Sequence, residues 1–199
     1  MTVVTNIGQL EKPTVVHHWL RDVLLIVGAS LLISLFARVA IPLPFTPVPL
    51  VLQLNVCLSL AILLGSKRGT AAVLLFLAQG ACGLPVFATG TAGLARLFCP
   101  TGGYLLGYVA GTYLAGYLWE RAKAKTRSHA LMSMAAGNLV VYALGVTQLS
   151  QFIGLSQALL LGVAPFLISD ALKLMLCVRA LDSTTLMPCS SSPRGYRRF

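Results

Sequence analysis

The feature that most constrains this chain is its succession of long, almost uncharged apolar runs. They stretch from Val23 to about Ile41, Leu50 to Leu64, Thr70 to Leu84, Tyr104 to Trp119, Ala130 to Leu149 and Leu155 to Leu181. A segment of about 20 apolar residues crosses the hydrocarbon core of a bilayer as a helix. An open strand or irregular loop does not, because every backbone N–H and C=O must find a partner where no water reaches. Composition agrees: 57% of the 199 residues are hydrophobic and 10% are charged, too few charges to cover a soluble domain. The expected fold is all-α, a polytopic membrane protein with a bundle of about six transmembrane helices. Residues 1–199 form a single membrane domain, with a short N-terminal segment, residues 1–21, and a polar, basic tail, residues 182–199.

The runs end where the backbone cannot continue as helix. Pro42, Pro44, Pro47 and Pro49 make the connection after the first span extended and semi-rigid. The second span stops at Gly65-Ser66-Lys67-Arg68-Gly69, and the third follows at once. Residues 85–103 are too rich in Gly, Pro and Thr for one straight helix, yet nearly uncharged. A loop of that kind at membrane depth must pack against protein or line a cavity. Pro165 suits the first turn of a helix, so the sixth span starts there and residues 150–164 form its approach.

The formal net charge of +10 is compatible with nucleic-acid binding only if the cations share a face. Here they fall between and after the apolar runs, which marks them as topology signals. With a cytoplasmic N-terminus, six spans place Lys12, Arg21, Lys67, Arg68, Arg121, Lys123, Lys125, Arg127, Arg179, Arg194, Arg197 and Arg198 in cytoplasmic segments, and both termini are cytoplasmic. Arg38, Arg96 and Lys173 alone fall elsewhere. Cys57, Cys82, Cys99, Cys177 and Cys189 form no C-x-x-C pair and read as small hydrophobes rather than disulfide, redox or metal groups. The N-terminus lacks the pattern of a cleaved signal peptide. Neither a Walker A sequence nor a hydrolase or metalloprotease motif is present, so neither ATP hydrolysis nor enzymatic catalysis is expected of this chain.

Asp170 and Lys173 stand inside the sixth apolar run, one turn apart and on one helix face. A charge at the centre of a spanning helix costs about 2.5–3.5 kcal/mol on insertion scales. Two readings follow: an internal ion pair, or a polar site offering an acceptor and a cation to a small amphoteric ligand. Arg38 suits a snorkelling role at a span end. Arg96, in the glycine-rich loop, either snorkels likewise or meets a carboxylate with two parallel hydrogen bonds. Gln53 is an amide at the start of an apolar span and either bonds another helix or faces a ligand. Phe87, Thr89, Thr91 and Tyr104 are ordinary loop residues by composition. The small residues Gly28, Ala29, Ser30, Ser34 and Ala37 permit close helix approach, either within the bundle or as a docking face for another membrane subunit.

Four motifs in order, Pro47-Val-Pro49-x-x-x-Gln53, Gly80-x-x-Gly83-Leu-Pro85-Val-Phe87-Ala, Pro100-Thr101-Gly102-Gly103-Tyr104-Leu-x-Gly107-Tyr108 and Pro165-x-x-x-x-Asp170-x-x-Lys173, resemble the BioY family. These are the biotin-binding S components of energy-coupling factor transporters, and the resemblance covers roughly residues 38–178. It implies a six-helix bundle in a bacterial cytoplasmic membrane. The resemblance also implies a ligand cavity near the outer face, under the loops that follow spans one and three. It implies biotin as ligand, with Asp170 accepting from the ureido N–H groups, Lys173 or Arg96 meeting the carboxylate, and Phe87, with Gln53, Thr89 and Tyr104, in the wall. The implied partners are a transmembrane coupling subunit, the T component, docked on the span-one face at Ala29, Ser30, Ser34 and Ala37, and a pair of ATPases that consume the ATP. No cofactor is implied for the chain itself. Capture of another small vitamin, or a structural or channel-like role for an internal Asp–Lys pair, are the competing readings.

Overall fold

The structure, a computed structural model, describes residues 15–41, 44 and 46–183. Its order is α1 (Val15–Arg38), β1 (Ala40–Ile41), β2 (Leu50–Val51), α2 (Gln53–Leu64), α3 (Ser66–Ala81), a 3₁₀ turn (Ala88–Gly90), α4 (Ala95–Phe98), α5 (Gly102–Arg121), α6 (Arg127–Ile153), α7 (Leu155–Gly162) and α8 (Ala164–Ser183). The two short strands pair antiparallel, Ala40 with Val51 and Ile41 with Leu50, and close the proline loop into a hairpin. The expected N-terminal segment up to Thr14, the tail from residue 184, and Pro42, Leu43 and Phe45 lie outside the described residues.

Large side chains such as Leu24, Leu31, Leu35, Leu139, Leu160, Leu172 and Met175 are exposed around the bundle. That pattern is stable only where the surrounding solvent is itself apolar. Three helical stretches, Trp19–Arg38, Arg127–Ile153 and Leu155–Ala180, are long and apolar enough to cross a membrane by length and composition. The last of these bends at Val163, between α7 and α8.

Glycine sets the close approach of α5 and α6. A Cβ on Gly111 would lie 2.6 Å from the Gly137 carbonyl oxygen, and one on Gly137 equally close to that of Gly111. Neither can carry a side chain without driving the helices apart. α3 packs against both α1 and α5, and α2 lies across α3, α5 and α8.

Several boundaries differ from those expected. The helical backbone of α1 begins at Val15 rather than Val23, and Asp22 pairs with Arg68 at 2.9 Å. The connection between α2 and α3 is the single residue Gly65, at φ 86°, rather than a five-residue stop. Lys67 and Arg68 therefore ride on the first turn of α3. The reason sits on another helix. Glu120, near the end of α5, accepts the Ser66 backbone N–H at 2.7 Å and the Ser66 hydroxyl at 2.8 Å, satisfying donors that the start of α3 leaves open. Residues 150–164, expected as an approach, continue α6 to Ile153 and then form α7. Gly154, at φ 83°, makes the turn between them.

The small residues of α1 face inward. Ala29, Ser30, Ser34 and Ala37 are all buried, the Ser30 hydroxyl donates to Gln79 Oε1 on α3 at 3.0 Å, and the Ser34 hydroxyl returns to the Ser30 carbonyl at 2.9 Å. Packing within the bundle accounts for the burial of the stripe. What α1 presents outward is Leu24, Leu31 and Leu35.

Candidate ligand-binding site

A cavity of about 260 Å³ opens where α2, α5, α6 and α8 meet the two loops. That is close to the lower end of the roughly 300–1,000 Å³ typical of small-molecule sites. Gln53, Phe87, Thr89, Arg96, Tyr104 and Asp170, dispersed over residues 53–170 of the sequence, all line it. Of the expected site residues only Lys173 is not part of the lining.

Each is placed by an identifiable local cause. Phe87 lies over Gly80 so closely that any Cβ there would enter its ring, and it meets Phe76 edge to face with centroids 5.5 Å apart. The loop segment carrying it is tied by the Phe87 N–H to the Thr91 carbonyl at 3.1 Å. Thr89 has φ 59°, a left-handed conformation that is uncommon for a β-branched residue, and its hydroxyl bonds its neighbour's carbonyl, Ala88 O, at 2.6 Å. Arg96 is carried by α4. That short helix is held to α6 by Gln148, whose side-chain amide donates to Leu97 O at 2.9 Å and Cys99 O at 2.7 Å. Tyr104 packs its ring against Gly145 and donates its hydroxyl to Gly162 O at 2.9 Å, joining α5 to α7. Gln53 begins α2 and is 1% exposed, and its Nε2 has no hydrogen-bond partner within the protein. A buried donor of this kind facing a cavity is a ready contact for an acceptor on a ligand.

Asp170 is 5% exposed and has both carboxylate oxygens engaged. Oδ1 takes the Lys173 ammonium at 3.1 Å and Oδ2 takes the Tyr142 hydroxyl at 2.5 Å. Lys173 also donates to Val51 O at 3.1 Å, so its charge ties α8 to the hairpin beside the cavity. The internal ion pair and the polar site thus coexist: Asp170 is paired, yet it stands in the cavity wall with lone pairs to spare for further donors. The proline loop above is latched at a second point, where the Thr46 hydroxyl donates to Leu161 O at 2.8 Å. Arg38 joins the end of α1 to the other loop, donating to Pro85 O at 3.2 Å.

Sequence reasoning missed Tyr108, Tyr142, Phe166 and Thr46, which also line the cavity. Tyr108 follows Tyr104 by one turn and shares its face, a signal that was there to read. A tyrosine amid an apolar run, as Tyr142 is, needs a partner for its hydroxyl, which was also a signal. Thr46 carried none. Chemically the cavity offers aromatic walls from Phe87, Tyr104, Tyr108 and Phe166, an anionic acceptor from α8, an amide donor from α2 and a guanidinium from α4. It suits a small ligand with an apolar body, N–H donors and an acidic group.

Comparison with known proteins supplies relatives. A family model described as the BioY family matches residues 8–186. A protein of Thermotoga maritima named biotin transporter BioY is 40% identical over 136 residues, 68% of this chain and 79% of that one. A Rhizobium etli protein of the same name is 35% identical over 153 residues, 73% of this chain and 82% of that one. Among solved structures, the S-component for biotin from an ECF-type ABC transporter superposes with a TM-score of 0.80 at 26% identity, covering 88% of this chain and 96% of the other. Motifs, fold and family match agree, and the chain belongs to the BioY family.

Proposed function

We propose that this chain captures biotin at the membrane as the substrate-binding S component of an energy-coupling factor transporter. The observation that carries the reading is a nearly buried carboxylate, Asp170, standing in the wall of an aromatic cavity of about 260 Å³. Biotin has two ureido N–H donors, an apolar bicyclic body with an aliphatic tail, and a terminal carboxylate. Asp170 receives the N–H groups, Phe87, Tyr104, Tyr108 and Phe166 enclose the body, and Arg96 meets the carboxylate. Gln53 Nε2 supplies a donor to the ureido oxygen, and Thr89 borders the mouth. Lys173 neutralises Asp170 and anchors the hairpin. The role is binding and transport, not catalysis.

In this reading the chain crosses the bacterial cytoplasmic membrane about six times, with α1, α2, α3, α5, α6 and α8 as spans and both termini in the cytoplasm. Lys67, Arg68, Arg121, Lys123, Lys125 and Arg127 gather where α2 meets α3 and α5 meets α6, the opposite end from the cavity, as retention of cations on the cytoplasmic side requires. The cavity then faces outward. Biotin, membrane lipid, a transmembrane coupling subunit and a pair of ATPases are the partners, and the ATPases supply the power that this chain lacks.

Isothermal titration of the purified protein in detergent against biotin, thiamine and riboflavin tests the assignment. Saturable heat with biotin alone is expected. Heat with another vitamin and none with biotin overturns it.

A further inference from the structure

Arg96 owes its place in the cavity wall to α4, and α4 is a weak support by itself. Four residues make a single turn, whose last carbonyls find no partner inside the helix. Among the described residues no carboxylate pairs with the Arg96 guanidinium, so no ion pair fixes it from its far end. Two external ties hold the segment. On its N-terminal side the Gly93 N–H donates to Gly80 O of α3 at 2.8 Å. On its C-terminal side Gln148 of α6 reaches across, and its Nε2 donates to Leu97 O at 2.9 Å and to Cys99 O at 2.7 Å. One nitrogen with two hydrogens thus serves two carbonyls at the end of the turn.

The run Pro100-Thr101-Gly102-Gly103 leads from α4 into α5, and its glycines make room for that contact. A Cβ on Gly102 would collide with the Leu97 carbonyl and lie 2.7 Å from Gln148 Nε2, against both partners of one hydrogen bond. One on Gly103 would lie 2.7 Å from Gln148 Cβ. A side chain at Gly102 therefore pushes α4 off Gln148, and one at Gly103 pushes α6 off α5. The same stretch of α6 seats the Tyr104 ring over Gly145. Gln148 thus stands on the helix that already shapes the aromatic wall of the cavity.

We infer that Gln148 is a positioning residue for Arg96: it holds α4 by its carbonyls and so keeps the guanidinium where the acidic end of a ligand arrives. This role rests on the functional reading above, in which Arg96 meets the carboxylate. The competing role for Gln148 is helix glue with no bearing on the ligand. Lost glue weakens the fold and every ligand alike, whereas a lost positioning contact weakens only ligands that carry a carboxylate.

Gln148→Met keeps the length of the side chain and removes both donors. Titration of the full chain in detergent is expected to show about tenfold weaker binding of biotin and unchanged binding of a biotin amide. In the double variant with Arg96→Gln the loss is expected to stay at about tenfold rather than reach about a hundredfold, because both changes remove one contact. Gly102→Ala leaves Gln148 in place and displaces the Leu97 carbonyl instead. The same selective loss is expected of it, and it stands in if Gln148→Met does not fold. Hydrogen exchange supplies a readout that needs no ligand. The amides of Arg96, Leu97 and Gly102, bonded to Gly93 O, Leu94 O and Cys99 O, are expected to exchange about tenfold faster or more in Gln148→Met. Wild-type biotin affinity in Gln148→Met, equal losses for biotin and its amide where Arg96→Gln is selective, additive losses in the pair, or unchanged exchange would each overturn the inference. If the wild-type protein binds no biotin, or Arg96→Gln weakens both ligands equally, the functional reading falls instead, and the exchange rates still decide whether Gln148 holds α4.

Discussion

Replacing Asp170 by Asn separates the two roles that its position allows. The side chain keeps its shape and one acceptor oxygen, but loses the charge that Lys173 meets at 3.1 Å and Tyr142 at 2.5 Å. A hydrogen bond to a charged group contributes about 1.5–3 kcal/mol, against about 0.5–1.5 for a neutral one. A ligand N–H bound to Asp170 therefore loses about 1–2 kcal/mol in Asp170→Asn, or about five- to thirtyfold in Kd. In Asp170→Ala the whole bond goes, and the loss is about ten- to 150-fold. Both variants also take the counter-charge from the largely buried Lys173 ammonium, and Asp170→Ala leaves it with only Val51 O, so the fold is weakened by up to about 3–5 kcal/mol. The double variant Asp170→Asn with Lys173→Met removes that stranded charge. Its melting temperature should return toward wild type while its biotin affinity stays low. Binding measured by titration and stability by a thermal melt in detergent give the two readouts separately. Wild-type affinity in Asp170→Asn, or recovery of affinity along with stability in the double variant, refutes the assignment of Asp170 to the ligand and leaves only a structural ion pair.

Arg96→Gln should weaken biotin about tenfold or more and leave the affinity for a biotin amide unchanged, because only the carboxylate needs the guanidinium; equal losses for both ligands in paired titrations would remove Arg96 from the site. Glu120→Ala abolishes two bonds to Ser66 and should lower stability by about 1–3 kcal/mol in a thermal melt with biotin affinity intact; an unchanged melt would show the cap to be dispensable. Gly111→Leu should prevent stable folding, because even a Cβ there lies 2.6 Å from the Gly137 carbonyl, whereas Gly28→Ala, with nothing within 4 Å, should purify and melt like wild type. Monodisperse protein from Gly111→Leu in size-exclusion chromatography would contradict the close α5–α6 crossing.

The helical class, the breaks at Pro and Gly, and the most conspicuous polar residues of the cavity were legible because each is written in local chemistry. Asp170, Arg96 and Gln53 are conspicuous in apolar surroundings, and the structure brings all three to one cavity. Long-range partners were not legible. Glu120 is a charge at a helix end, and only the fold carries it to Ser66. Gln148 belongs to an unremarkable polar patch until the α4 segment is seen resting on it. The stripe of Ala29, Ser30, Ser34 and Ala37 allows two directions, and Gln79, which accepts from the Ser30 hydroxyl, is on a different helix. For Lys173 spacing gives a face but not a partner, and the resemblance leaves either Lys173 or Arg96 as the cation for the ligand. The Val51 carbonyl that Lys173 bonds comes from the hairpin.

A structure of the protein with biotin bound measures the central claim most directly. The ureido nitrogens should lie about 2.7–3.2 Å from the Asp170 carboxylate, with the bicycle against Phe87 and Tyr104 and the carboxylate at Arg96. Biotin bound away from this cavity, or Asp170 engaged only by Lys173 and Tyr142 with no ligand atom in hydrogen-bonding range, would contradict it.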